Sequence, residues 1–156
     1  MTDPLVYVDP PDFAAFVPGT PVPGGSKVPG RTKAGRLFVR DAAGRRNKTW
    51  KFNVAMTARK AMAGPPLTGA VELLITFVMP RPKRHYFTGK RASVLRPDAP
   101  SHHTVAPDAT KLTRSTEDAL KGVVWADDSQ VVRQEITKLY GPAPGARIVV
   151  RKIKPL

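Results

Sequence analysis

Cysteine is absent from this chain of 156 residues. Its absence excludes a disulfide framework, a zinc–thiolate site and a thiol nucleophile. Long apolar runs are missing too, since every run is far shorter than the roughly 20 residues that cross a bilayer as a helix. The first residues, MTDPLVYVDPPDF, do not show the basic-then-apolar order of a signal peptide. A cytoplasmic location is therefore the expectation.

Acidic residues are scarce. The chain has 12 Asp and Glu against 26 Lys and Arg, which gives a formal net charge of +14. An excess of this size repels itself unless a polyanion is near, and it indicates a nucleic-acid partner. An anionic membrane surface is the weaker alternative, because the sequence shows no basic amphipathic helix with a large aromatic face.

Hydrophobic residues make up 41% of the chain. At this length they predict a single globular domain, residues 1–156, that buries its own core. Residues 1–12 are rich in proline and predict an extended arm. The strand predicted at residues 71–79 is apolar on both faces, which is typical of a sheet centre. Further strands are predicted at 13–17, 37–39, 131–140 and 147–153, and helices at 47–63 and 108–121. The turn formers at residues 141–145 predict that the last two strands form an antiparallel hairpin.

Basic residues dominate two segments that are rich in turn formers, residues 19–35 and 81–106. The second is long for a compact domain, so we expect a mobile basic loop that orders on its substrate. Tyr86 and Phe87 lie within it and are candidates for stacking on an exposed base. The predicted phosphate contacts are Lys27, Arg31, Lys33, Arg81, Lys83, Arg84, Lys90 and Arg91.

Five of the 12 acidic residues lie between Pro107 and Val132. Asp108 begins a predicted helix, and Asp127 and Asp128 form a pair where a turn enters a strand. These carboxylates would converge if that strand packs along the helix. Mg²⁺ prefers hard oxygen ligands of this kind, and the surrounding chain is basic. The pattern therefore predicts a divalent metal held against a nucleic-acid backbone.

The order of residues in this segment resembles the RusA family of Holliday-junction resolvases. The matching pieces are Pro107-Asp108, Leu112, Arg114, Asp118-Ala119-Leu120, Gly122 and Trp125 through Val131. The resemblance implies an α+β single domain in which a small mixed β-sheet is backed by two main helices. It also implies a homodimer that uses Mg²⁺, with Mn²⁺ as a substitute, to make paired nicks in four-way DNA junctions. No small-molecule cofactor is expected, and many family members are encoded by phages or prophages.

The same resemblance assigns roles to individual residues. Asp108, Asp127 and Asp128 would be the acidic metal ligands, and Arg114 would occupy the place of the catalytic lysine. The chain departs from the family motif Asp-x-Asp-Asn-Leu, because Thr110 stands where the second aspartate is expected. Glu117 lies two helical turns beyond Thr110 on a similar face, and we hypothesise that it restores part of the lost charge.

Two other functions remain open from the sequence. A non-catalytic protein on the same fold would bind branched DNA without cutting it at any Mg²⁺ or Mn²⁺ concentration. An RNA-binding module would use Tyr86, Phe87 and Trp125 as stacking platforms, although no aromatic-rich strand motif of the usual RNA-recognition kind is present.

Overall fold

The structure is a computed structural model that describes residues 9–155. These residues form an α+β domain with two helices, a four-stranded mixed sheet and a separate two-stranded sheet, as the family resemblance implies. The main elements are β1 (Phe13–Pro18), β2 (Lys27–Arg31), β3 (Leu37–Asp41), α1 (Gly44–Ala61), β4 (Val71–Pro80), α2 (Ala109–Leu120), β5 (Val131–Gly141) and β6 (Gly145–Lys152). No helix within the described range is long and apolar enough to cross a membrane.

The main sheet has the strand order β1-β6-β4-β5, which confirms β4 as a central strand. Leu73, Ile75 and Phe77 are buried beneath the helices, whereas Leu74 and Val78 on the opposite face are only half-buried. The strand is apolar on both faces because it lies between two neighbours, and its second face is partly open.

The predicted hairpin between the last two strands is wrong. β5 pairs with β4 in parallel, and β6 pairs with β4 and β1 in antiparallel fashion, so β4 lies between them. The three residues that connect β5 to β6 pass across the end of β4, where Pro80 terminates that strand. Gly141 makes this crossing sterically possible, since a Cβ there would come within 2.6 Å of the Val78 side chain. The short turn resembled a hairpin because such turns usually join adjacent strands.

Both helices pack on one face of the sheet and on each other. Trp50 and Val54 of α1 are buried, as is Leu112 of α2. The Trp50 indole Nε1 donates a hydrogen bond to Thr116 Oγ1 at 3.2 Å, which joins the two helices inside the core. The apolar stripes predicted from 3.6-residue periodicity are therefore the faces that meet.

The segment at residues 81–106 follows a defined path at both ends. His85 and His103 are buried, and their rings lie 4.8 and 4.9 Å from the ring of Tyr140. The backbone N–H of Tyr140 donates to the Ser101 carbonyl, so the end of this segment runs beside β5. The mobility expected for its middle stays a prediction. Residues 1–8 of the predicted arm lie outside the described residues.

Candidate active site

A cleft of about 420 Å³ lies between α2 and β5. Its lining is Ala109, Thr110, Thr113, Arg114 and Glu117 from α2, with Gln134 and Ile136 from β5. Thr110, Arg114 and Glu117 are spaced four and three residues apart, so helical geometry places them in one row. A polar residue, a cation and an acid therefore face the same cleft.

Glu117 is the carboxylate that lines this cleft. It is half-buried, and the Gln134 side-chain N–H donates a hydrogen bond to its Oε1. Burial raises the pKa of Glu117, and the negative charge of Asp128 raises it further, while the hydrogen bond from Gln134 acts in the opposite direction. Two carboxylates are thus close enough to repel each other at one end of the cleft.

Asp128 is held in place by a buried aromatic side chain. The Trp125 indole Nε1 donates to Asp128 Oδ1 at 2.9 Å, and Trp125 itself is fully buried. Asp128 begins a short 3₁₀ turn, Asp128–Gln130, that leads directly into β5. Its carboxylate therefore has one oxygen fixed by the core.

Asp127 has a different environment from its neighbour. Its Oδ1 accepts a hydrogen bond from the Ser129 backbone N–H at 2.9 Å, and Lys121 lies 3.6 Å away. The bonds from Ser129 lower the pKa of Asp127, and the Lys121 ammonium lowers it further. Gln130 completes a capping box with Asp127. The Asp127 side chain thus stabilises the turn that presents Asp128.

Asp108 lies at the opposite end of α2. It is the N-cap residue, its side chain is exposed, and Lys111 is 3.9 Å away. Nine residues separate it from Glu117, which corresponds to roughly 13 Å of helix rise. β5 runs antiparallel to α2, because Lys138 contacts the start of the helix and Gln134 contacts Glu117. Asp108 and Asp128 therefore lie near opposite ends of α2.

Among residues 9–155, no group of three or more His, Cys, Asp and Glu side chains could hold a metal ion. The assignment of Asp108, Asp127 and Asp128 as a shared ligand set stays a prediction.

Arg114 lies against a loop that the sequence did not connect with it. Gly25 has a φ of +83°, and a Cβ added there would lie 3.1 Å from Arg114 Cδ. The adjacent Gly24 N–H donates to the Lys111 carbonyl at 3.0 Å. The glycine pair lets the backbone approach α2 closely and supports the stem of the Arg114 side chain.

The predicted phosphate contacts fall into two groups. Lys27, Arg31, Lys33, Lys83, Arg84, Lys90 and Arg91 are exposed. Arg81 is half-buried, donates to the Pro100 carbonyl at 2.7 Å and lies over the Tyr140 ring, so it anchors the 81–106 segment. The Arg91 guanidinium lies 3.9 Å from the centre of the Phe87 ring, so one face of Phe87 is occupied by protein.

Comparison with known proteins identifies the family of this chain. The model of the family described as Endodeoxyribonuclease RusA matches residues 18–151. This chain belongs to the RusA family. It is also 29% identical over 140 residues to "Uncharacterized protein YqaN" of Bacillus subtilis (strain 168), covering 86% of this chain and 92% of that protein. RusA membership implies a nuclease of the Holliday-junction resolvase type, and RusA resolvases generally depend on a divalent metal.

Glu117 and Asp128 are the carboxylates of this RusA-family chain whose charges interact beside the cleft. Glu117 and Asp128 repel each other, and a cation between them would relieve the repulsion. Mg²⁺ is often bound through one or two carboxylates, with water and substrate phosphates completing its shell. The sequence indicated Glu117 through its helical spacing from Thr110. It contained no signal for Gln134 or for the Trp125 contact, because both depend on how β5 and the turn pack against α2.

Proposed function

We propose that this chain is a structure-selective endodeoxyribonuclease that nicks four-way DNA junctions in pairs, using Mg²⁺ or Mn²⁺. The observation that carries the proposal is the cleft between α2 and β5. It places Arg114 beside Thr110 and Glu117, with the charge of Asp128 acting on Glu117. A net charge of +14 supplies the attraction to DNA.

Each residue of the cleft has a proposed role. Glu117 and Asp128 would hold the metal, and the hydrogen bond from Trp125 would keep Asp128 oriented. When bound, the metal would polarise the scissile phosphate and lower the pKa of a water. The Arg114 guanidinium would bind the same phosphate through paired N–H donors and stabilise charge that develops on it. Asp108 and Asp127 remain proposed ligands from the family resemblance.

The remaining proposal concerns DNA and assembly. Exposed Arg31, Lys33, Lys83, Arg84 and Lys90 would contact phosphates of the junction arms, together with Lys27, Arg81 and Arg91. Two symmetric cuts require two sites related by a two-fold axis, so we propose a homodimer on the junction.

The test is cleavage of a synthetic four-way junction by the wild type, Asp128→Asn and Asp118→Asn. Asp118 is an exposed acid on the same helix that pairs with Lys51 at 3.1 Å, away from the cleft. We expect Asp128→Asn to lower nicking at least about 100-fold, because loss of a metal ligand should cost no less than the roughly 10- to 100-fold lost with a partner that orients one, and Asp118→Asn to nick like the wild type. Comparable metal-dependent nicking by all three proteins would remove Asp128 from the mechanism.

A second candidate is a junction-binding protein that does not cut. Thr110 in place of the family aspartate favours it, because a hydroxyl is a weaker metal ligand than a carboxylate. This candidate predicts tight junction binding and no nicking across a wide range of Mg²⁺ and Mn²⁺ concentrations. In that case Thr110→Asp, which adds a carboxylate to the cleft lining, should create activity.

A further inference from the structure

A second cleft, of about 580 Å³, lies between the β2–β3 hairpin and the first half of α1. Its charged lining consists of Lys27, Arg40, Asp41, Arg45, Lys48 and Lys51. Of the described residues that line it, five are therefore cationic and one is acidic. No aromatic side chain is among them, so the cleft suits a charged group better than a base.

Three of these cations have no carboxylate partner in the part of the chain that the structure describes. Asp41 lies 3.8 Å from Lys27, and Lys51 pairs with Asp118 outside the lining. Within residues 9–155, no carboxylate forms an ion pair with the remaining cations, which are Arg40, Arg45 and Lys48. Three like charges converge on one concave surface, which is costly unless an anion binds there.

The position of these charges on α1 adds to that cost. The helix begins at Gly44, and its first turn contains no acidic residue. Arg45 and Lys48 lie at this end, where the helix dipole is positive and cations are disfavoured. A polyanion in the cleft would offset both the mutual repulsion and the interaction with the dipole.

The floor of the cleft is fixed to the helix that carries Arg114. Asn47 is buried, and its Nδ2 donates to Ser115 Oγ at 2.7 Å and to the Pro23 carbonyl at 2.9 Å. Ser115 directly follows Arg114 on α2, so a group bound in the cleft is held at a set position relative to Arg114. Rigid coupling of this kind lets a remote contact position the reacting phosphate.

We propose that this cleft binds the phosphate backbone of a DNA duplex arm, separately from the cleft between α2 and β5. The proposal deepens and rests on the proposed function, which makes DNA the partner. Arg40, Arg45 and Lys48 are the contacts. Because they meet phosphates and not base edges, they contribute affinity and position without sequence preference.

The experiment compares two triple variants with the same loss of charge. Arg40→Gln/Arg45→Gln/Lys48→Gln removes the three unpaired cations. Arg36→Gln/Arg59→Gln/Lys60→Gln removes three exposed cations that do not line the cleft. Binding to a four-way junction is measured in EDTA at several salt concentrations. Circular dichroism and the Tm of each protein confirm that it is folded.

We expect the cleft variant to bind at least about 10-fold more weakly. The slope of log K against log salt should become shallower by about 2 to 3, since each phosphate contact contributes about 0.9. The control variant should change that slope by less than about 1. Equal changes of slope in the two variants would overturn the proposal.

Tripolyphosphate provides a second readout that does not depend on junction binding. It should raise the Tm of the wild type and of the control variant, and should not raise the Tm of the cleft variant. If the cleft variant loses the tripolyphosphate response but binds DNA like the wild type, the proposal that the cleft binds a duplex arm is wrong. The result would instead indicate that the cleft binds a small phosphorylated ligand.

The nicking assay separates this proposal from the proposed function. If the wild type binds junctions through the cleft and never nicks them, the cleft proposal stands and the nuclease proposal fails. If the wild type nicks junctions and both triple variants bind alike, only the cleft proposal fails.

Discussion

The two clefts of this molecule differ in how their charges are satisfied. At the cleft between α2 and β5, Glu117 accepts a hydrogen bond from Gln134, and Asp128, whose charge acts on Glu117, accepts one from buried Trp125. In the cleft between the hairpin and α1, Arg40, Arg45 and Lys48 have no carboxylate partner within the described residues. The first holds oriented acids and the second holds unneutralised cations. The comparison indicates that the first cleft holds its acidic side chains in fixed orientations, whereas the second attracts anions through its positive charge.

Among substitutions outside the proposed metal ligands, removing the indole that orients Asp128 should have the largest effect. We expect Trp125→Phe to lower junction nicking about 10- to 100-fold, the range seen when a partner that orients a metal ligand is lost. Trp50→Phe is the matched control, because Trp50 is also buried and donates one side-chain hydrogen bond, to Thr116. Both variants lose a core indole, so the Tm should fall in both. Equal losses of nicking would show that the Trp125 bond matters only for folding.

The two clefts should also respond to pH with opposite signs. Burial and Asp128 raise the pKa of Glu117. Its contribution to stability is therefore present below the ordinary carboxyl pKa of about 4 and is lost as the pH rises through the folded value. In metal-free buffer, Glu117→Gln should remove this loss of stability with rising pH. Urea unfolding should show the variant gaining stability over the wild type between about pH 4 and pH 7.

Asp41 in the second cleft provides the contrast. Burial alone would raise its pKa, but the backbone N–H groups of Ala43 and Gly25 and the Lys27 ammonium bring the pKa below its usual value. Its contribution is present above the ordinary carboxyl pKa and is lost as the pH falls through the folded value. Asp41→Asn should therefore destabilise the protein more at neutral pH than at about pH 3. If the stability of the Glu117 and Asp41 variants relative to the wild type changed in the same direction with pH, the predicted contrast between the two clefts would be wrong.

The smallest expected effect concerns cations at the two ends of α1. Arg45→Gln removes a cation from the positive end of the dipole and should raise the Tm of the DNA-free protein by about 1–2 °C. Arg59→Gln removes a cation from the last turn and should lower the Tm by a similar amount. Thermal unfolding at low salt measures both, and the difference should shrink at high salt because the interaction is screened. Shifts of the same sign would argue against a dipole effect.

Most elements of this fold could be predicted from the sequence, but β2 (Lys27–Arg31) was missed because it lies in a segment rich in turn formers, a composition typical of loops. The arrangement of the strands could not be predicted. Periodicity predicted α2 at residues 108–121, and the structure has Ala109–Leu120. The order of the strands was missed, because a short link between β5 and β6 is locally the same whether it joins neighbours or crosses β4. Only the tertiary position of Gly141 over Val78 distinguishes the two cases.

The site shows the same division between local and long-range information. Helical spacing alone placed Thr110 and Glu117 on a similar face. The distance between Asp108 and Asp128 depends on the direction in which β5 runs along α2. Contacts of Lys138 and Gln134 with α2 establish that direction. The sequence around these two residues does not predict these contacts.

The anchoring of residues 81–106 has a consequence for engineering. Lys138 Nζ donates to the carbonyls of Val105 and Pro107, at 3.0 and 2.8 Å, and thereby fixes the entrance to α2. His85 and His103 secure the two ends of the segment against Tyr140. We therefore expect residues 86–99, which lie between these anchors, to accept insertions or changes of charge without moving the helix that carries Arg114.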